Sequence, residues 1–423
     1  MIVYEFKIQG KVEQYRSIDE AIRIFQFIRN KTIRFWMDNR GVKLSEFSKQ
    51  SAILAKEFDF ANQLNSQARQ AATERASFSV QRFYDNCKSG KPGKKGYPKF
   101  QKRNRSVEYK TSGWKLSEDR KYITFTDKCG IGRLKLRGTR DLHYYQVEQI
   151  KRVRIVRRSD GYYAQLVVQS ERNIDIKPSG KAVGLDVGLA AFYTDSEGNK
   201  VENPRHLRKS EKALKRLHRR VSRKKKGSNN RLKAIKRLGR KHLKVSRQRQ
   251  DFAVKTALCV VKSHDFVAFE KLQICNMVRN RHLAKSISDA AWSQFTDWLE
   301  YLGKVYGKVV VGVPPQYTSQ NCSGCGDIVK KSLSIRTHIC QCGCVLDRDH
   351  NAAINILEKA LKQTGYQLTN TVGHTGINAS GEKILCPDLA TSLGKIAGVN
   401  EESPRLQAGE CQLVRILANN LQA

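Results

Sequence analysis

Five cysteines, Cys322, Cys325, Cys340, Cys342 and Cys344, fall within 23 residues, a density that ordinary core packing does not require. A C-x2-C pair, fourteen intervening residues and a C-x-C-x-C run suit two tight turns that offer four thiolates to a tetrahedral Zn2+, the pattern of a zinc ribbon. The competing reading is a set of free, buried thiols. One of the five is surplus. Cys342-Gly343 repeats Cys325-Gly326, so Cys322, Cys325, Cys340 and Cys342 are the expected ligands and Cys344 is the spare. Four thiolates close the coordination sphere, which makes the site structural and not catalytic. The other six cysteines are scattered singly, as in a reducing compartment.

Charge narrows the partners. With 79 Lys and Arg against 39 Asp and Glu, the 423-residue chain carries +40. Such self-repulsion opposes compaction unless a polyanion offsets it, so nucleic acid is the expected partner and an acidic membrane the second choice. No stretch approaches the roughly 18 apolar residues of a membrane span, and the opening MIVYEFKIQG lacks a signal peptide's apolar core. The expected location is the cytoplasm. Two stretches concentrate the charge. Residues 88–105 hold eight Lys/Arg and no acid among Gly and Pro, a basic loop; residues 205–249 hold 21 Lys/Arg and the single acid Glu211. In the latter, Leu214, Leu217 and Val221, then Leu232, Ile235 and Leu238, give a narrow apolar stripe, which predicts two helices docked by one face.

Patterning divides the rest. Val3, Tyr4, Phe6 and Ile8 read as a strand, followed by helical spacing from Ile18 to about Phe83. Strands are expected at 122–125, 132–136, 150–156 and 162–168, the last two joined at Ser159-Asp160-Gly161, where Asp-Gly can supply the positive φ angles of a tight turn. These predict a small barrel or sheet, completed by the first strand, with the helical lobe inserted in it. From 181 on, strand-like AVGLDVGLAAFYTD, FVAFE and KVVVGV alternate with helices, which predicts an α/β sheet. Residues 363–423 show little periodicity and read as a flexible tail.

Three acids stand out. Asp186 sits in an apolar strand between glycines, Glu270 ends FVAFE, and Asp347 and Asp349 precede the helical run of DRDHNAAINIL. A charge buried in such a strand must be paired or metal-bound. Phosphodiester hydrolysis calls for carboxylates of this kind, because two Mg2+ ions about 3.5–4 Å apart can both activate water and neutralise the leaving oxygen. Each acid alone has a bland alternative: a turn residue, a salt-bridge partner, or, for Asp347, a helix cap.

The motifs GLDVGL, FEKL, SISDAAW, YTSQNCSGCG and RTHICQCGCVLDRDHNAAINIL, spanning about 181–357 in this order, resemble the insertion-sequence-encoded TnpB proteins, also called OrfB-type transposases, relatives of type V CRISPR effectors. The resemblance implies an α/β multi-domain protein: an RNase H-like, RuvC-type nuclease domain with an inserted zinc ribbon, and a β-barrel wedge domain carrying a helical recognition lobe. It implies a wedge of 1–13 and 101–178, a recognition lobe and basic loop at 14–100, a nuclease domain at 179–320 and 345–362, and a ribbon at 321–344 that binds target nucleic acid. It also implies an RNA-guided DNA endonuclease active in transposition, with Asp186, Glu270 and Asp349 holding Mg2+ or Mn2+, Asp349 being preferred over Asp347. The partners implied are a guide RNA from the transposon end and double-stranded target DNA, bound by one protein copy. The family's second cysteine pair is usually C-x2-C, so Cys344 is a possible substitute ligand. A nuclease-dead RNA-guided repressor, a conventional transposase and a CRISPR effector of the same fold are the alternatives.

Overall fold

The computed structural model describes residues 1–366 apart from 40, 91, 92, 171, 333 and 334, so most of the tail expected at 363–423 lies outside the described residues. The chain divides near residue 171 into two compact units.

In the first unit, β1 (Ile2–Gln9) buries Ile2, Tyr4, Phe6 and Ile8 on one face and turns its polar residues to the other. Four helices follow: α1 (Val12–Asp38), α2 (Glu46–Glu57), the short α3 (Asp59–Asn62) and α4 (Ser66–Lys88). Asn65 caps α4 by accepting from the Gln67 N–H, and a stripe of Ala68, Ala71, Ala72, Ala76 and Val80 is buried along the helix. After it come β2 (Ser106–Lys110), β3 (Trp114–Leu116), β4 (Tyr122–Phe125), β5 (Gly132–Arg137), β6 (Ile150–Arg158) and β7 (Gly161–Val168). They form one sheet in the order β2-β6-β7-β1-β5-β4-β3, with β1 antiparallel to both neighbours. Among the described residues no ladder joins β2 to β3, so the sheet is a half-barrel. The β6–β7 turn has its positive φ at Gly161 and not at Asp160.

The second unit is built on a five-stranded sheet. AVGLDVGLAAFYTD, which reads as one strand, folds back at 188–190 into β8 (Ala182–Val187) and β9 (Ala191–Asp195), and β10 (Lys200–Glu202) extends the meander. The helices α5 (His206–Ser222) and α6 (Asn229–Ser263) lead to β11 (Phe266–Glu270). Then α7 (Ile274–Met277), α8 (Ala284–Ala290) and α9 (Trp292–Val305) precede β12 (Val309–Val313). A hairpin of β13 (Thr337–Ile339) and β14 (Val345–Asp347) closes the cysteine-rich segment before α10 (Arg348–Thr364). The order is β10-β9-β8-β11-β12, with β8, β11 and β12 parallel. Every residue of β11 is buried, as in a central strand covered on both faces. α10 covers the sheet through Phe266, Ala268, Val313, Ile356 and Ala360, while Phe192 of β9 meets Phe252 of α6 and Phe295 of α9.

Candidate functional site

Strand register brings the first two acids together. β8 and β11 run parallel with Leu185 beside Phe269, so one residue further Asp186 and Glu270 stand side by side on one face at the C-terminal ends of adjacent strands. Gly184, two residues before Asp186, shares that face and lies directly under α10. A Cβ at this position would stand 2.1 Å from the Ala353 carbonyl oxygen and 2.9 Å from Leu357 Cβ. Only glycine lets the helix come so close. Asp349, one turn before Ala353, is thereby carried toward the same strand ends.

The electrostatics are those of unbalanced negative charge. Burial, then the charges of Glu270 and Asp349, hold the Asp186 carboxyl well above the usual carboxylate range, with Arg348 countering in part. Burial also raises Glu270, against the Thr318 hydrogen bond and the Lys359 charge. Asp349 has Arg336 Nη1 at 3.5 Å. An all-oxygen set of mutually repelling carboxylates fits a hard divalent cation. Asp347 is engaged otherwise. It caps α10 by accepting from the Asp349 N–H at 2.9 Å and pairs with Lys200 at 2.8 Å. Burial works against its ionisation, but Lys200 and that N–H keep its carboxyl below the ordinary value.

The cysteine cluster is tighter. Among the described residues, Cys322, Cys325, Cys340 and Cys342 are the one group of His, Cys, Asp or Glu drawn close enough for a common ion, their sulfurs all within 4.8 Å of one another. The three carboxylates are not gathered so tightly. Sγ of Cys322 lies 3.6 Å from that of Cys342, and Sγ of Cys325 3.5 Å from that of Cys340. A tetrahedron of thiolates about 2.3 Å from zinc has edges of about 3.8 Å, so the four positions fit the metal. Gly326 and Gly343 follow the second cysteine of each pair at φ 86° and 88°, which explains the repeated Cys-Gly. Burial opposes ionisation of Cys322, yet the Cys325 and Gly324 N–H groups bring its thiol down to about 5. Cys344 lies beside the four, its carbonyl accepting from the Cys340 N–H at 3.0 Å.

The basic stretches take the expected forms with one difference. α5 and α6 pack through Leu214, Val221 and Leu238, but Leu232 and Ile235 are exposed, leaving the stripe narrower than the sequence suggests. In the first unit, Tyr97 of the basic loop packs against Trp36 and Phe83 with ring centroids 5.3 Å apart, yet half of it stays exposed; Phe100 is exposed as well. Sequence reasoning missed Thr318, Asn351, Asn355 and Lys359. The available signal was their spacing: Asn351, Asn355 and Lys359 repeat every four residues along α10.

The chain is similar to known proteins. A family described as "Probable transposase" matches residues 165–281, and one described as "Cas12f1-like, TNB domain" matches 292–356. A Streptomyces pristinaespiralis protein named "Putative RNA-guided DNA endonuclease" is 40% identical over 43% of this chain and 45% of its own length, so the match spans less than half of that relative. The "Putative RNA-guided DNA endonuclease InsQ" of Escherichia coli K12 is 31% identical over 62% of this chain and 68% of its own. A solved structure, "Cryo-EM structure of the Cas12f1-sgRNA-target DNA complex", shares the fold at a TM-score of 0.50 and 16% identity, covering 81% of this chain and 82% of that one. With more than two thirds of the Escherichia coli relative matched, the chain belongs to the TnpB family of insertion-sequence proteins.

Proposed function

We propose that this protein is an RNA-guided DNA endonuclease whose second unit is an RNase H-like, RuvC-type nuclease domain. One observation carries the reading: two acids, Asp186 half-buried and Glu270 buried, lie side by side at the ends of parallel β8 and β11, under a helix that brings a third. In this reading Asp186, Glu270 and Asp349 would together hold Mg2+, each through a carboxylate oxygen. Two divalent cations, when bound there, supply an activated water and charge neutralisation at the leaving oxygen. The four thiolates hold a structural zinc, and the ribbon around it contacts target nucleic acid. The half-barrel of the first unit serves as the wedge and α1–α4 as the recognition lobe. The names of the relatives and the guide RNA and target DNA of the solved Cas12f1 complex support a guide RNA and a DNA target, as does a charge of +40.

Full-length protein purified with its RNA tests this. Sequencing that RNA gives the matching DNA, which is expected to be cut only with Mg2+ or Mn2+. Asp186→Ala is expected to abolish cutting while leaving RNA bound; retained cutting rejects the assignment.

A further inference from the structure

The segment 314–323, between β12 and the first cysteine pair, is gripped along its length by one face of α10. Asn351 Nδ2 donates to the Asn321 carbonyl at 2.8 Å, and its Oδ1 accepts from the Ser323 N–H at 2.9 Å. Asn355 Nδ2 donates to the carbonyls of Thr318 and Asn321 at 2.8 and 2.7 Å. Lys359 Nζ reaches those of Pro314 and Gln316 at 3.1 and 3.2 Å. This strap contains a bend that costs energy, since Tyr317 sits at φ 63°, a region unfavourable for a bulky residue. Its carbonyl accepts from the N–H groups of Gln320 and Asn321, both at 3.0 Å.

The bend delivers Thr318, 4% exposed, whose hydroxyl donates to Oε1 of Glu270. Pro315 O, at 3.2 Å, is the competing acceptor. A hydroxyl has one proton to give, and an ionised carboxylate is the stronger acceptor. So α10, which carries Asp349, also holds the strap that engages Glu270.

We propose that Thr318 is a positioning residue for the nuclease centre: by engaging one oxygen of Glu270, it fixes the rotamer in which the other oxygen serves the metal. The proposal rests on the reading of Glu270 as a metal-holding acid. Ligating carboxylates are commonly oriented by such outer hydrogen bonds. Because Cys322 is four residues further on, the zinc ribbon anchors the far end of the strap.

The test is Mn2+ binding to the full-length chain stripped of nucleic acid, followed by electron paramagnetic resonance, with zinc content and melting temperature recorded for each variant. Thr318→Val is expected to lose about 10- to 100-fold in Mn2+ affinity, and Thr318→Ser to recover most of it. In RNA-loaded protein the Mg2+ concentration for half-maximal cutting is expected to rise in Thr318→Val more than the rate at saturating Mg2+ falls. Thr318→Ala, which removes the hydroxyl without the bulk of valine, serves if the valine variant does not fold. Wild-type affinity in the folded Val or Ala variant overturns the proposal, as does a Ser variant no better than Val. Asp186→Ala separates the two readings: if it too binds Mn2+ normally, the acid site itself is wrong, whereas loss there with normal binding in Thr318→Val rejects only the role of Thr318.

Discussion

Glu108, buried, and Asp186, half-buried, are carboxyls with opposite surroundings. Glu108, on β2, is 6% exposed and meets Arg75 at 3.1 Å and Arg152 and Arg154 at 2.9 Å. Burial alone would raise its pKa, but these guanidinium groups bring it from 4.5 to about 2. Asp186 has acids for neighbours and moves the other way. Matched charge holds a fold together, whereas unmatched charge of one sign leaves room for a cation. A carboxyl depressed in the folded state stabilises fully above its unfolded pKa, and that contribution is lost as pH falls through the folded value. Urea unfolding of Glu108→Gln near neutral pH is expected to show a loss of about 3 kcal/mol, the low end for breaking a buried pair because the guanidinium groups stay partly solvated. The gap to wild type is expected to close between pH 4.5 and about 2; a gap that persists at pH 2 contradicts this account.

Elements with a repeating pattern were legible in the sequence, and contacts between distant residues were not. Alternation marked β1, the fully apolar FVAFE marked a central strand, and an acid ending such a strand marked Glu270. The paired Cys-Gly turns likewise announced themselves. Thr318 did not, since its partner Glu270 is 48 residues away and no periodicity links a loop hydroxyl to a strand end. The fold-back at 188–190 was hidden because β8 and β9 are apolar on both sides of the turn, and β2 and β3 are too short to establish an alternation. The choice among Cys340, Cys342 and Cys344 depends on the turn at Gly343, and here a measurement is direct. One zinc per chain is expected by elemental analysis, retained in Cys344→Ser and lost in Cys342→Ser, with Co2+ giving the visible bands of tetrahedral thiolate in the first variant only. The reverse pattern would make Cys344 the ligand.

For the whole molecule the dominant fact is charge. Arg216, Arg219, Arg220 and Arg223 are all exposed on or just beyond α5 and are free to face phosphate. Each phosphate contact on a single strand adds about 0.7 to the slope of log affinity against log salt, so replacing all four by Gln is expected to flatten the slope for RNA by up to about 3. An unchanged slope would remove this helix from the interface. No helix among the described residues is long and apolar enough to cross a membrane. The strap on α10 also bears on how such a protein can be recombined. The chain enters the cysteine-rich segment past Thr318, which touches Glu270, and leaves it at Asp347, which caps the helix bearing Asp349. A chimera that exchanges this segment with a relative's should therefore be cut outside residues 314 and 347, since a graft spliced at the cysteines would inherit a metal knot without the two footings that tie it to the acids.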